Sequence, residues 1–324
     1  MRGRSRPVTR AQDQNAPSLP VLATIAGALF LIWSNSFVAA NYLLGGEGAA
    51  AAFDWISLSV ARFTPAAPLC ALYCFGFKLR ESIAILKAHW LRLLAGGLLA
   101  VPSYNLALYF GQQHGVPPPV ASLTTALLPL FVLILAAIFL GERLTSRRVV
   151  AFGVALAGLI LISLSRGSSS VPGGYGSVLV ITALAPLSWS LYSILSKPVS
   201  REVPPLLWTY LCIVVGSLPL LAVLPWAGGP QMAALEPAGW LALLHLSLLC
   251  TVLGYAVWTW LLYHLPASVV GFTVFLNPPL TTASKIALAM LWPATFTLRM
   301  SSLEWVGGGL ALTGLAIAVL SKGR

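Results

Sequence analysis

Apolar and polar positions alternate along this chain in long blocks, not at the short periods of a surface strand or an amphipathic helix. Apolar runs of about 20 residues fall at 20–43, 55–77, 90–111, 118–140, 148–165, 174–196, 205–226, 239–263, 268–291 and 303–321. At 1.5 Å per residue, a helix of that length crosses the ~30 Å hydrocarbon core of a bilayer. The blocks therefore predict an all-α integral membrane protein with ten transmembrane helices. The connections are short and leave no room for a soluble catalytic domain. Residues 1–19 read as a basic cytoplasmic tail. The first run is too long for a signal-peptide core, so no cleavage is expected.

Composition agrees with the blocks. The 324 residues are 58% hydrophobic and 8% charged, with a mean hydropathy of +0.87, far from the surface that a soluble domain needs. The net charge of +11 does not mark a nucleic-acid partner, because the basic residues are scattered between apolar runs. They report topology instead. With the N-terminus in the cytoplasm, Arg2, Arg4, Arg6, Arg10, Lys78, Arg80, Lys87, Arg92, Arg143, Arg147, Arg148, Lys197, Arg201, Lys322 and Arg324 all fall on the cytoplasmic side. Arg166 and Arg299 fall outside, and Arg62 and Lys285 lie within spans. The positive-inside rule then places both termini in the cytoplasm of a cell inner membrane. Cys70, Cys74, Cys212 and Cys250 sit singly in apolar runs without CxxC spacing, so no disulfide framework, metal site or cofactor is expected.

Short stretches recur in the same order in the two halves. LIWSNSF (Leu31 to Phe37) pairs with PLSWSLYSI (Pro186 to Ile194), aligning Trp33-Ser34 with Trp189-Ser190. SYNLALYF aligns Tyr104 with Tyr255 of GYAVWTWLLY, Pro129 of TALLPLF aligns with Pro279 of FLNPPLT, and GVALAGL from Gly153 aligns with GLALTGL from Gly309. These matches predict two five-helix repeats, 20–165 and 178–321, joined by an external linker at 166–177. Five is odd, so the repeats would run in opposite senses through the bilayer, as in alternating-access carriers.

ALFLIWSNSFV, SVARFTPAAPL, LPLFVLILAAIFLGERLTSRRVVAFGVALAGLILI and LPASVVGFTVFLNPPLT resemble the drug/metabolite transporter superfamily, specifically its EamA-type ten-helix exporters. The resemblance runs from about residue 20 to 321. It implies a helical basket around a central cavity lined mainly by the first, third, fourth, sixth, eighth and ninth spans, and export of small organic solutes. The second half departs from the pattern: LWPATFTLRMSS (Leu291 to Ser302) stands where the family often repeats Gly141-Glu142-Arg143, so the turn after the ninth span is expected to be remodelled.

Polar residues inside the spans nominate the site. In FLNPPLTTASKIALAM, Asn277, Thr281 and Lys285 are spaced by four and share one helical face, which Thr273 extends by a turn. Pro278 and Pro279 cannot donate to the carbonyls of Val274 and Phe275, which frees acceptors toward a cavity or merely bends a packed helix. Lys285 is the candidate for an anionic group of the substrate. Arg62, at similar depth, is either a second contact to that anionic group or, the preferred reading, a residue oriented by contacts with neighbouring carbonyls, and the alternative for both cations is that they reach the outer headgroups. Further substrate-binding candidates are Trp33, Ser34, Asn105, Tyr109, Thr125, Trp189, Tyr192, Tyr255 and Trp258, with Asn41 and Ser122 beside them; Pro129, Pro278 and Pro279 are candidate hinges. Aromatic stripes at this spacing are also ordinary membrane packing. Among histidines only His245 lies well inside a span, where it is a candidate proton carrier or an interfacial histidine.

There is no HExxH, no paired intramembrane carboxylates and no histidine near a candidate serine, so an enzyme is not expected. The reading is an exporter of amino acids or related carboxylate-bearing or zwitterionic metabolites. Its alternatives are an exchanger of phosphorylated or nucleotide-sugar solutes, a multidrug efflux protein and a membrane scaffold. Its partners are the substrate and membrane lipid, with no nucleic acid.

Overall fold

A computed structural model describes residues 17–46, 51–140, 146–165, 174–199, 202–223, 235–265, 267–293, 295–296 and 301–320. Most of the N-terminal tail, the Gly141-Glu142-Arg143 motif, most of the expected linker with Arg166, and Arg299 lie outside the described residues. Among the described residues the regular structure is entirely helical.

The chain enters on α1, Leu19–Leu43, which starts at Pro20, and returns on α2, Trp55–Ala71. Asp54 caps α2: one carboxylate oxygen accepts the amides of Ile56 and Ser57 at 2.8 Å each, and the other accepts the Ser57 hydroxyl. A π-helical segment, Leu72–Phe77, continues α2. Next come α3, Leu79–Leu98, a π segment at Leu99–Ser103 around Pro102, and α4, Tyr104–Gln113. This helix begins eleven residues before the expected 90, because its amphipathic start carries Arg80, Glu81 and Lys87 and joins the apolar part through a bend at His89 (φ −128°, ψ 22°).

The expected fourth span is two helices, α5 Pro118–Thr125 and α6 Leu128–Leu140. Pro129 follows the break and has no amide to donate to the Thr125 carbonyl. After α7, Ser146–Ser165, come α8, Gly174–Val199, and α9, Pro205–Val223. The eighth span is α10, Pro237–Leu244, a π segment at His245–Leu253, and α11, Gly254–His264. Lys197 of α8 closes the α11 end by donating to the carbonyls of Leu262 and Leu265.

The ninth span is interrupted: α12, Ala267–Thr273, a 3₁₀ turn at Val274–Leu276, and α13, Asn277–Leu291. Pro278 and Pro279 therefore open α13 and do not kink a continuous helix. The turn also takes Thr273 off the stripe expected to run through Asn277, Thr281 and Lys285; its hydroxyl donates to Val270 O at 2.6 Å. Finally α14, Ser302–Leu320, starts with a capping box in which Ser301 N donates to Glu304 Oε2 (2.7 Å) and Glu304 N to Ser301 Oγ (3.2 Å).

Among the described residues, five helical stretches are long and apolar enough to cross a membrane: Leu19–Leu43, Trp55–Phe77, Leu79–Gln113, Gly174–Val199 and Pro237–His264. The spans expected at 118–140 and 268–291 are helical but broken, for the proline reasons above. Packing joins the two parts of the chain closely, with α7 along α14, α3 on α9, α4 on α8, and α13 against α1 and α5. The α3–α9 contact depends on glycine. A Cβ on Gly97 would sit 2.8 Å from the Cys212 carbonyl, and one on Gly216 would overlap the Gly97 carbonyl.

Candidate functional site

A cavity lies where the helices are irregular. Thr125 and Leu128 flank the α5–α6 break, Val274 opens the 3₁₀ turn and Asn277 follows it, and Tyr104 and Tyr255 follow the π segments Leu99–Ser103 and His245–Leu253; all six line the cavity. Broken backbone at bilayer depth is tolerated where it faces such a space. From α1, Trp33, Ser36 and Phe37 contribute one helical face. Leu108 and Tyr109 of α4, Trp189 of α8 and Arg62 of α2 complete the wall. The free volume is about 30 Å³, room for about one water molecule. Any organic solute requires this space to widen.

The floor is a set of interlocking rings. Trp189 lies with its ring centroid 4.6 Å from Tyr255, 5.2 Å from Tyr104 and 5.7 Å from Trp33, mostly edge to face. Trp33 is fixed by its indole N–H, which donates to the Cys250 carbonyl at 3.0 Å. Gly254 is required beside it, since any Cβ there would collide with the indole nitrogen.

Arg62 is the charge of the cavity. Its side chain is 4% exposed and bound at one edge: Nε donates to Thr251 Oγ1, and Nη1 to Asn105 Oδ1 and the Tyr109 hydroxyl, each at 2.8 Å. Asn105 is oriented by donating Nδ2 to Val101 O at 2.7 Å, which turns its oxygen to the guanidinium. The rings of Phe63 and Tyr255 lie 5.7 and 5.8 Å from the guanidinium carbon. The ion pairs among the described residues, Lys78–Glu81 and His89–Glu202, lie elsewhere, so the Arg62 charge has no carboxylate neighbour there.

Of the residues singled out from the sequence, Trp33, Tyr109, Thr125, Trp189, Tyr255 and Asn277 are brought together around the cavity, with Asn105 directly behind them. The others go elsewhere. Thr281 donates to the Ser34 carbonyl at 3.1 Å, which places both in the α1–α13 contact. Tyr192 shares a hydrogen bond with Thr259 at 3.1 Å, and Trp258 donates to Ser193 Oγ at 3.2 Å, one layer beneath the floor. Lys285 is 2% exposed, so it does not reach the headgroups, and it is not among the cavity-lining residues. His245 Nε2 is 3.1 Å from the Ile32 carbonyl, away from the cavity wall. The sequence reading missed Ser36 and Tyr104 and preferred an orienting role for Arg62 over a contact with substrate. Ser36 was legible as the residue three places after Trp33 on the same face.

A bundle of membrane-length helices around a cavity lined by a buried cation is the architecture of a polytopic membrane transporter. The chain belongs to the EamA-like transporter family, which matches residues 24–164 and again 176–320. It is 30% identical over 276 residues to an uncharacterized transporter of Archaeoglobus fulgidus, covering 84% of this chain and 94% of that one. It is 26% identical over 286 residues to a probable terminal-alkyne amino-acid exporter of Streptantibioticus cattleyicolor, covering 88% and 89%. A solved crystal structure with 20% sequence identity shares the fold, at a TM-score of 0.59 over 94% of this chain and 98% of the other.

Proposed function

We propose that this membrane transporter exports small organic metabolites, amino acids or related compounds, from the cytoplasm across the inner membrane by alternating access. In this reading the segments 20–165 and 178–321 are inverted five-helix halves with both termini cytoplasmic, and substrate binds between them. Two family matches of similar length support the division. So do the interruptions: a π segment before Tyr104 and another before Tyr255, and a broken helix at Pro129 and another at Pro278. Such breaks let one half rock against the other around a fixed site.

The observation that carries the reading is the cavity, to which residues of both segments contribute an apolar aromatic wall and a few polar groups. A single cavity cation fits a carboxylate or zwitterion better than a phosphorylated solute, whose dianion requires several cations. The test is transport into proteoliposomes of amino acids and aromatic amines, each with and without a pH gradient. Saturable movement of an amino acid is the expected result, and failure of every solute to move under all conditions refutes the proposal.

A further inference from the structure

Resting on that reading, we infer that Arg62 is the carboxylate anchor of the cavity and Asn277 the ammonium acceptor, so that the site takes the zwitterion of a free amino acid with an apolar side chain. The argument comes from which hydrogen-bonding capacities the protein leaves unused. Nε and Nη1 of Arg62 are committed to Thr251, Asn105 and Tyr109. The two N–H groups of Nη2 take no part in those bonds, and the charge has no carboxylate neighbour among the described residues. A guanidinium held rigidly along one edge, with donors left at the other, suits a carboxylate.

The remaining polar groups of the wall have the opposite character. Asn277 is 4% exposed, lines the cavity, and its Oδ1 has no hydrogen-bond partner among the described residues. Thr125 Oγ1 spends its proton on the Ser122 carbonyl at 2.7 Å, and Ser36 Oγ spends its own on the Trp33 carbonyl at 2.6 Å. Both hydroxyls can therefore only accept toward the cavity. The residues that carry these three oxygens, on α1, α5 and α13, line a space that Arg62 also lines from α2. An ammonium group is the donor that satisfies them, and the ring wall of Trp33, Trp189 and Tyr255 receives the side chain. A buried acceptor without a partner is costly in the empty protein, so the substrate, or in its absence a water, completes Asn277.

The experiment compares L-leucine with 4-methylpentanoate, which lacks the ammonium, and 3-methylbutylamine, which lacks the carboxylate. Binding to the purified full-length protein is followed by tryptophan fluorescence, because Trp33 and Trp189 line the cavity. Transport is followed by leucine counterflow in proteoliposomes. Leucine should bind about tenfold or more tightly than either analogue, one charge-assisted hydrogen bond being worth that factor. Asn277→Leu removes no bond that holds the fold and should reduce the preference for leucine over 4-methylpentanoate, leaving only the Thr125 and Ser36 oxygens for the ammonium. Arg62→Lys should weaken leucine and 4-methylpentanoate about tenfold or more and leave 3-methylbutylamine unchanged. Equal binding of leucine and the amine, no leucine binding at all, or an Asn277→Leu protein that prefers leucine to 4-methylpentanoate as strongly as the unaltered protein each overturns the inference. If leucine binds with this pattern but no solute crosses the membrane, the inference stands and the transport proposal fails. If leucine and the amine cross equally well, transport stands and the inference fails.

Discussion

Trp33→Phe tests how the cavity is held shut. The substitution keeps one ring against Trp189, Phe30 and Trp258, whose centroids lie 5.7, 5.6 and 5.6 Å away, and removes the N–H that donates to the Cys250 carbonyl at 3.0 Å together with part of the indole's packing, a loss that the Trp258→Phe control below shares. That bond ties α1 to the π segment His245–Leu253, and at this depth no bulk water replaces it. A neutral hydrogen bond contributes ~0.5–1.5 kcal/mol net, which is ~2- to ~12-fold in the ratio of open to closed states. Cys250 is a native reporter, since it is fully buried as a free thiol at the contact itself. When reclosing is fast, its labelling by N-ethylmaleimide follows the open population. Peptide mass spectrometry should show Cys250 labelled ~2 to ~12 times faster in Trp33→Phe, with Cys74 at the far end of α2 unchanged. Trp258→Phe is the control: it releases Ser193 Oγ, which still donates to the Trp189 carbonyl at 2.8 Å, and should leave Cys250 labelling unaltered. Unchanged Cys250 labelling in Trp33→Phe, or an equal rise at Cys74, refutes the argument.

Gly216→Leu forces a side chain into the Gly97 carbonyl and should destabilise the α3–α9 contact by ~1–3 kcal/mol as overpacking, read as a lower melting temperature in detergent; an unchanged value refutes the close approach. Asp54→Ala removes the acceptor for two backbone amides and the Ser57 hydroxyl and should cost ~0.5–2 kcal/mol, while Asp54→Asn retains most of the stability; equal melting temperatures for the two variants would count against the cap. Inverted halves require positions 166 and 322 on opposite faces of the membrane. A cysteine at 166 should react with an impermeant maleimide on intact cells, and one at 322 only after permeabilisation; reaction of both from the same side excludes the inversion.

Apolar run lengths made the helical membrane fold legible, and prolines marked where two spans break. Azimuth was harder to read. Arg62 and Lys285 are both cations inside apolar runs, and the sequence gives their depth but not the neighbour each faces. The structure puts Arg62 on the cavity wall and keeps Lys285 off it. Ser34 and Ser36 are two residues apart and therefore point about 200° apart around α1. The repeat match favoured Ser34, yet that match reflects packing: Ser34 bonds back to Leu31 and its partner Ser190 to Pro186 and Leu128. The π segments hid the rest, because each inserted residue turns everything beyond it by about 100°, and no periodicity in the sequence announces the insertion.

Those π segments also give the cavity its mechanical logic. An i→i+5 turn widens the helix and leaves carbonyls accessible to side chains. In the segment Leu99–Ser103, the Leu99 carbonyl accepts Ser188 Oγ at 2.8 Å and the Ala100 carbonyl accepts the Tyr255 hydroxyl at 3.1 Å, both donors lying in the second family match. In the segment His245–Leu253 the direction reverses, and the Cys250 carbonyl accepts from Trp33 in the first match. Each segment thus supplies the irregular backbone that a side chain of the other satisfies, and Arg62 links both regions by bonding Thr251 on one side and Asn105 on the other. Loss of any one cap at bilayer depth strands a polar group, so the caps should break together and not singly. A substrate that draws the guanidinium toward itself would load Thr251 and Asn105 at once. Under the proposed alternating-access mechanism, this is how occupancy of a cavity of about 30 Å³ would be felt by both segments.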